Sequence, residues 1–194
     1  NILLDQAAAR DFKVGAAVDM HEDGYNNSVD EVSHSLAHLM NDRVHHPAYL
    51  RHQGKPVIYF WNQDRFSVAQ WQEIRNQVDP NRDTIWVMEG ASTAYLAVFD
   101  GLYLFTTVWS SNPAATASTW QTRTQQAGGW FYTPTVVPAW NDVSGRANPT
   151  PARPRGEGEY LRRSWNGAAA SGADIILITR WNEYFENSHI ETTE

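Results

Sequence analysis

Short apolar runs alternate with helical stripes along the whole chain. The runs are mostly apolar on both faces, which is typical of strands buried on both sides of a sheet. They predict six strands, over residues 12–19, 55–61, 84–89, 102–106, 130–137 and 175–181. Apolar positions at helical spacing predict helices or helical turns over 2–11, 29–40, 68–78, 94–99, 114–127 and 158–171. Ser67 and Gln70 have the spacing of a capping box at the start of one of these helices.

The repeated order of strand, helix and strand indicates a parallel sheet covered by helices. The turn after the first strand reads AAVDMHEDG, with carboxyl groups where a dinucleotide-binding fold would need a glycine-rich phosphate site. A (β/α)8 TIM barrel instead places its chemistry at the C-terminal ends of several strands. We therefore predict an α/β fold in which residues 1–194 form a single, partial TIM-barrel catalytic domain of about six βα units, with the N-terminal units missing. An open doubly wound sheet is the alternative.

The composition excludes several classes of protein. An apolar content of 42% is enough for a core, and no apolar run approaches the roughly 20 residues that span a bilayer. A net charge of −7 disfavours nucleic acid as a partner. Cys is absent, which excludes disulfides and thiolate chemistry and leaves the compartment open, with an extracellular or periplasmic location as our expectation.

Nine Trp residues are an unusually high count, and Trp serves either in cores or as a platform under sugar rings. Trp71, Trp120 and Trp165 lie on predicted helices and are expected in the core. Trp86 and Trp130 come early in strands, away from the strand exits. The candidate sugar platforms stand at the strand exits and are Trp61, Trp109, Trp140 and Trp181.

Carboxyl and amide groups stand beside these rings. Cleavage of a glycosidic bond needs one carboxyl to protonate the departing oxygen, a second to activate the attacking group, and rings to hold the sugar. The residues at the strand exits are therefore predicted to bind an oligosaccharide or polysaccharide. The predicted substrate-binding residues are His21, Tyr25, Trp61, Asn62, Asp64, Glu89, Trp109, Trp140, Asp142, Trp181, Asn182, Glu183, Glu186 and His189.

Asp19 and Glu22 are the predicted catalytic pair. A spacing of three just past a strand lets both carboxyls reach one cavity. Like charges that close raise the pKa of one carboxyl, so that one serves as an acid and the other as a base. The alternative is a loop that only caps the helix beginning near Val29.

Several segments of the chain resemble glycoside hydrolase family 99, the endo-acting α-mannosidases and α-mannanases. KVGAAVDMHED is similar to the family segment in which a strand ends in Glu-Pro-Tyr-Glu, with Asp19 and Glu22 in the two carboxyl places. ITRWNEYFENSHIE is similar to the family's Trp-Asn-Glu-Trp-x-Glu-Gly-x-x-Ile-Glu ending, and HPAYLRHQGKPVIYFW resembles the segment between. The ending also resembles family 71, the α-1,3-glucanases with a related barrel, through Asn182, Tyr184, Ser188 and His189.

The resemblance implies roles for the carboxyl pair, with Glu22 as the general acid and Asp19 as the base. In family 99 the glutamate at the place of Asp19 is expected to assist attack by the sugar's own 2-hydroxyl through an epoxide-like intermediate. Asp19 is one methylene shorter, and His21 replaces a Tyr of the family pattern. A retaining reaction of this kind and an inverting reaction with activated water therefore both stay open.

We predict an endo-acting glycoside hydrolase of α-linked mannose or glucose polysaccharides or glycans that uses no cofactor and no metal. The alternative is a non-hydrolytic carbohydrate-binding or polysaccharide-biosynthesis barrel module. His34 and His38 have the i, i+4 spacing of a ligand pair, but they lie opposite the apolar stripe of their helix and are expected to face solvent.

The segment over 141–158 is rich in Pro, Gly and Arg and is too long for a simple connector. We expect it either to fold over the substrate, with Arg146, Arg153 or Arg155 reaching sugar hydroxyls, or to be a surface loop.

Overall fold

The structure is a computed structural model, and it describes residues 1–20, 27–143, 146 and 151–191. The chain divides into two compact units. Unit 1 comprises Asn1–Leu102 with Ala127–Gly129, and unit 2 comprises Tyr103–Gln126 with Trp130–Glu194.

Unit 1 alternates strands with helices. Its elements are α1 (Ile2–Ala8), β1 (Ala16–Asp19), α2 (Val29–Asp42), β2 (Arg51–His52), β3 (Lys55–Trp61), α3 (Val68–Val78) and β4 (Ile85–Glu89), with short 3-10 helices at Gln63–Arg65 and Thr93–Ala97. The next strand, β5 (Gly101–Tyr103), has its first two residues in unit 1 and its last in unit 2. β1 pairs with β3 and β3 with β4, both in parallel, with Asp19 opposite Trp61 and Phe60 opposite Met88. The predicted parallel sheet with alternating helices is therefore confirmed, and the C-terminal ends of these strands lie at one edge of the sheet.

Four large rings form the centre of unit 1. The ring centroids of Phe60, Trp71, Trp86 and Phe99 lie 5.0 to 6.1 Å apart in every pairing. All four are buried, so the predicted core position of Trp71 is confirmed. The tilted and edge-on contacts favour one arrangement of the rings, and they hold α3 against β3 and β4.

A buried guanidinium lies beside this ring cluster. Arg75 on α3 pairs with Asp79 and Asp100 at 3.1 Å each, and its Cζ lies 4.3 Å from the centroid of the Trp86 ring. Burial lowers the pKa of Arg75, and the nearby Asp100 and Asp79 carboxylates oppose that shift. Asp100 also accepts a hydrogen bond from the Trp86 backbone N–H at 2.8 Å. These contacts join α3 to the strand β4 and to the chain that follows it.

Helix ends in unit 1 follow the local sequence. The capping box at the start of α3 is confirmed, because Ser67 accepts from the Gln70 N–H while the Gln70 side chain accepts from the Ser67 N–H. α1 is shorter than predicted and ends at Ala8. Asp11 then adopts a positive φ of 52°, which a helix cannot accommodate.

β2 is a strand that the apolar pattern did not predict. It pairs antiparallel with β3, with His52 opposite Lys55. Gln53 and Gly54 between them both have positive φ, 48° and 81°, as a two-residue hairpin turn requires. The sequence signal for this hairpin is a single glycine, Gly54, in a short polar segment without an apolar periodicity.

Unit 2 contains the remaining helices and strands. Its elements are α4 (Pro113–Gln126), β6 (Phe131–Thr133), β7 (Thr135–Val136), α5 (Glu159–Ala170) and β8 (Leu177–Ile178). β7 and β8 form a parallel pair, with Thr135 opposite Leu177 and Val136 opposite Ile178. The single strand predicted over 130–137 is thus divided at Pro134, which has no N–H to donate to a neighbouring strand.

α4 and α5 pack at close range. A Cβ added to Gly167 of α5 would lie 2.4 Å from the Cα of Ala114 on α4, so the two backbones meet where only glycine fits. The predicted core position of Trp165 on α5 is wrong, because that side chain is 46% exposed. Trp165 lies two residues from Gly167, so it is on a different face of the helix.

Two further expectations concern the surface. His34 and His38 on α2 are exposed, as predicted, and His38 contacts Asp42 at 2.7 Å on the same helix. Within the described ranges, no helix has the length and apolar character needed to cross a membrane.

Candidate active site

The C-terminal ends of β1 and β3 bring two predicted site residues together. Asp19 ends β1, and Asn62 directly follows β3. The Asn62 side-chain N–H donates to one carboxylate oxygen of Asp19 at 3.2 Å. Asn62 has a φ of 57°, a left-handed conformation that asparagine tolerates better than most residues. This conformation turns the chain at the strand exit.

The other predicted residues of unit 1 lie around these exits. Trp61 and Glu89 are half-buried at the ends of β3 and β4, and Asp64 is exposed in the 3-10 helix that follows β3. His21, Glu22 and Tyr25 lie outside the described residues.

Arg65 is a residue that the sequence patterns did not point to. Its guanidinium donates to the Met20 carbonyl at 2.5 Å and to the Asn27 side-chain oxygen at 2.6 Å. Met20 and Asn27 flank the segment that carries Glu22. A single cation from the exit of β3 therefore ties both flanks of that segment to unit 1. A lone exposed arginine in a short 3-10 helix offers no sequence signal for such a role.

Unit 2 brings the segment after β7 together with the segment after β8. Arg146 pairs with Asp142 at 3.3 Å and with Glu186 at 2.5 Å, and Glu186 also binds Arg180. The four side chains form an alternating series of charges, which we call the ion chain: Asp142, Arg146, Glu186 and Arg180. The Asn141 N–H donates to the Glu186 carbonyl at 2.8 Å, which joins the same two segments through the backbone.

Three predicted substrate-binding residues are buried within this arrangement. Trp140, Asp142 and Glu186 have little or no exposed surface, and each contacts an arginine of the ion chain. In the described arrangement these side chains support neighbouring groups rather than lining an open surface.

Trp109 and Trp181 are two exposed aromatic residues of unit 2, at 61% and 62% exposure. The Trp109 indole N–H donates to the Thr106 carbonyl at 3.1 Å, which orients the ring. Asn182 and Glu183 next to Trp181 are exposed as well. Exposed Trp rings such as these are suited to stacking under a sugar.

His189 is half-buried among polar and aromatic neighbours. Its ring lies 4.6 Å from the Tyr184 ring, centroid to centroid, and Arg155 donates to its backbone carbonyl at 2.8 Å. Arg153 donates to the Val108 carbonyl at 2.8 Å. The arginines of the segment over 141–158 thus bind the protein itself, within the part of that segment that the structure describes.

The side chains in the described ranges include no group of three or more His, Cys, Asp or Glu residues that could hold a metal ion.

The predicted site residues that the structure describes form two groups, one in each unit. Asp19 and Asn62 belong to the first, and the ion chain with the exposed rings belongs to the second.

Residues 1–193 match the family described as glycosyl hydrolase family 99. The chain belongs to this family. The predicted resemblance to family 99 is therefore confirmed, and with it the assignment to the glycoside hydrolases.

Two solved structures of the family 99 endo-alpha-mannosidase from Bacteroides thetaiotaomicron are similar to the chain. One is 25% identical with a TM-score of 0.81, and the match covers 98% of this chain and 59% of that one. The other, a complex with BIS-TRIS-propane, is 26% identical with a TM-score of 0.81, and the match covers 98% and 63%. This chain thus spans about six tenths of the length of these family 99 structures.

A third structure, a glycoside hydrolase-like protein, is 16% identical with a TM-score of 0.65, and the match covers 84% of this chain and 54% of that one. It shows the fold alone. The comparison with curated proteins found no match. The predicted fold class, the (β/α) barrel type, agrees with the family 99 structures.

Proposed function

We propose that the protein is an endo-acting hydrolase of α-linked mannose or glucose polymers, with Glu22 as the general acid and Asp19 as the general base. The observation that carries the proposal is the position of Asp19 at the exit of β1, with one carboxylate oxygen bound by Asn62 from the exit of β3. Membership of family 99 and the similarity to a family 99 endo-alpha-mannosidase support the reaction class.

The chemistry assigns one proton transfer to each carboxyl. Glu22 gives its proton to the departing glycosidic oxygen as the bond from that oxygen to the anomeric carbon breaks. Asp19 takes a proton from the group that attacks the anomeric carbon, which is either a water molecule or the sugar's own 2-hydroxyl. The Asn62 side-chain N–H donates to one oxygen of Asp19 and so orients the carboxylate that would accept this proton.

Sugar binding is assigned to the exposed rings and their polar neighbours. Trp109 and Trp181 present open faces, and Asn182 and Glu183 offer hydrogen-bonding groups beside Trp181. Stacking of a sugar on such a ring, combined with hydrogen bonds to its hydroxyls, would orient the chain of the polymer.

The experiment is hydrolysis of α-mannan and α-1,3-glucan by the full-length natural protein and its variants. Asp19→Asn and Glu22→Gln should each lower kcat by about 10²- to 10⁴-fold, since each removes one proton transfer. Asp30→Asn and Glu73→Gln, which change exposed carboxylates on α2 and α3, serve as controls and should keep the activity.

Full activity in both Asp19→Asn and Glu22→Gln would refute the assigned pair. NMR of the anomeric configuration of the first product decides between the retaining and the inverting reaction. Oligosaccharide binding without any product from the unmodified protein would favour the non-hydrolytic alternative.

A further inference from the structure

Arg180 lies directly before the exposed Trp181, yet its own side chain is only 1% exposed. Its guanidinium donates to the Glu186 carboxylate and, at 3.3 Å, to the Ser188 hydroxyl. The Cζ atom lies 4.2 Å from the centroid of the Trp140 ring and 4.6 Å from that of Phe105. Arg180 is thus a buried cation with one carboxylate partner and two aromatic neighbours.

This arrangement is costly for the folded state. The Nε and Nη2 groups of Arg180 have no hydrogen-bond partner in the described part of the chain. Burial lowers the pKa of Arg180, and the Glu186 and Glu183 carboxylates oppose that shift. An apolar side chain of similar volume would serve a core at least as well as a partly satisfied buried ion pair. We therefore infer that Arg180 contributes through the positions that it imposes on Glu186 and Ser188 rather than through the stability of the folded state.

The chain after Arg180 folds back on itself over residues 181–191, and we call these residues the closing segment. The N–H groups of Ile190 and Glu191 both donate to the Trp181 carbonyl, at 3.0 and 2.9 Å. The Ser188 N–H donates to the Glu183 carbonyl at 3.1 Å. The two ends of the closing segment therefore meet at Trp181.

The closing segment has a buried side and an exposed side. Glu186 and Ser188 are buried and are the two residues that Arg180 binds, whereas Trp181 and Glu183 are exposed. Arg180 thus contacts the buried side of the closing segment. Because both ends of the segment meet at Trp181, anchoring Glu186 restricts how far Trp181 and Glu183 can shift.

We propose that Arg180 is a positioning residue for glycan binding, which acts through Glu186 and Ser188 to hold the Trp181 ring and the Glu183 carboxylate in one orientation for a sugar. The inference rests on the proposed function, since it assigns the ligand of the closing segment as a sugar. Arg180 itself does not touch the substrate.

Arg75 offers a matched control. It is also 1% exposed, pairs with buried carboxylates and lies on a Trp face, but it belongs to α3 of unit 1. Arg180→Lys and Arg75→Lys each keep the charge and shorten the reach of the donors. Both should lower the melting temperature of the full-length natural protein. If Arg180→Lys weakens oligosaccharide binding and Arg75→Lys does not, the effect on binding comes from positioning and not from the loss of stability.

The measurements are oligosaccharide affinity by calorimetry and the separate kcat and KM values, taken well below the melting temperature of each variant. The probes are α-mannan and α-1,3-glucan oligosaccharides. Arg180→Lys should raise Kd and KM about 3- to 10-fold, with kcat changed by less than about threefold, because the released segment has to be ordered again on binding. Arg75→Lys should leave Kd and KM unchanged.

Glu186→Gln tests the same contact from the other side and should raise Kd at least as much, because it also weakens the pair of Glu186 with Arg146. The double variant with Arg180→Lys should raise Kd little beyond Glu186→Gln alone, since both substitutions weaken the contact between Arg180 and Glu186. Equal Kd values for Arg180→Lys, Glu186→Gln and the unmodified protein would overturn the proposal. Binding without turnover would overturn the hydrolytic function but not the role of Arg180. Absence of any oligosaccharide binding by the unmodified protein would overturn both.

Discussion

Side chains at the strand exits form hydrogen bonds with partners that are distant in sequence. Asp19 and Asn62 are 43 residues apart in sequence, and the parallel register of β1 and β3 places them within hydrogen-bond distance. Arg65 reaches back 45 residues to the Met20 carbonyl. Strand-exit reasoning predicted Asp19 and Asn62 as site residues, but it could not identify Arg65.

Arg65→Met should lower kcat of the full-length natural protein by about tenfold or more. The substitution removes the two charge-assisted hydrogen bonds that tie the flanks of the segment bearing Glu22, each worth about 1.5 to 3 kcal/mol. Steady-state kinetics measures the effect. Arg10→Met, which changes an exposed arginine that donates to Gln6, is the control and should keep the activity. Unchanged kcat in Arg65→Met would contradict the role of these contacts.

Tyr132 and Tyr160 are two buried tyrosines with opposite hydrogen-bonding states. The Tyr160 hydroxyl donates to the Thr107 carbonyl at 2.7 Å, whereas the Tyr132 hydroxyl has no partner among the residues that the structure describes. Tyr160→Phe should therefore lower the free energy of unfolding by about 1 to 2 kcal/mol, and Tyr132→Phe should leave it equal or raise it by up to about 1 kcal/mol. Urea denaturation at pH 7 measures both.

The pH dependence of stability supplies a second test of Tyr132. Burial raises its pKa far above the ordinary value of 10.0. The folded state then keeps the proton while the unfolded state loses it, so the stability is complete below pH 10 and falls as the pH rises above that value. Tyr132→Phe should show a smaller alkaline loss than the unmodified protein. Identical alkaline loss in the two proteins would contradict the prediction.

At the scale of elements, the apolar pattern was most reliable where burial is continuous. The strand predicted over 55–61 is β3, Lys55–Trp61, and the helix over 68–78 is α3, Val68–Val78. β3 and α3 both contribute rings to the core of unit 1. β3 follows the hairpin turn at Gln53 and Gly54, and α3 begins with the capping box of Ser67 and Gln70. The strand predicted over 175–181 is reduced to Leu177–Ile178. Only these two residues pair with β7, and side-chain pattern alone does not reveal where pairing stops.

The contact between α4 and α5 gives a prediction at this scale. Gly167→Ala should lower the free energy of unfolding by about 1 to 3 kcal/mol, because the new Cβ would lie 2.4 Å from the Cα of Ala114. Helix propensity alone would favour alanine by about 1 kcal/mol, so the sign of the change separates the two effects. Asn166→Ala, at an exposed position of α5, is the control and should be neutral or slightly stabilising. Thermal unfolding measures the stability of both variants, and a Gly167→Ala variant that is more stable than the unmodified protein would refute the close contact.

At the scale of the whole molecule, the family assignment supports the prediction that the chemistry lies at the strand exits. Members of a barrel family share a scaffold of parallel strands and place their reactive groups at the C-terminal ends. The chain matches family 99 over residues 1–193 and spans about six tenths of the family 99 structures to which it is similar. Activity is therefore a property to be measured on the full-length natural protein.

An endo-acting enzyme should shorten a polymer before it releases small sugars. With α-mannan as substrate, size-exclusion chromatography should show an early fall in the mean polymer length, while free mannose stays a minor product. Open rings such as those of Trp109 and Trp181 suit a polymer that lies across the site rather than one that enters by its end. Steady release of monosaccharide with little change in polymer length would indicate exo-action instead.

The order of apolar and polar positions by itself determined the alternation of strands and helices and the parallel α/β class, and it predicted the strand exits as the place for chemistry. These properties depend on contacts between neighbours in sequence and on which faces are apolar, so one chain is enough to reveal them. Only the tertiary structure decided which exit residues are open and which are buried. Trp181 is exposed while Trp140 and Glu186 are buried. The physical reason is that burial of a charge is costly without a partner of opposite charge, and here that partner comes from a distant segment, as Arg146 does for Glu186 across 40 residues.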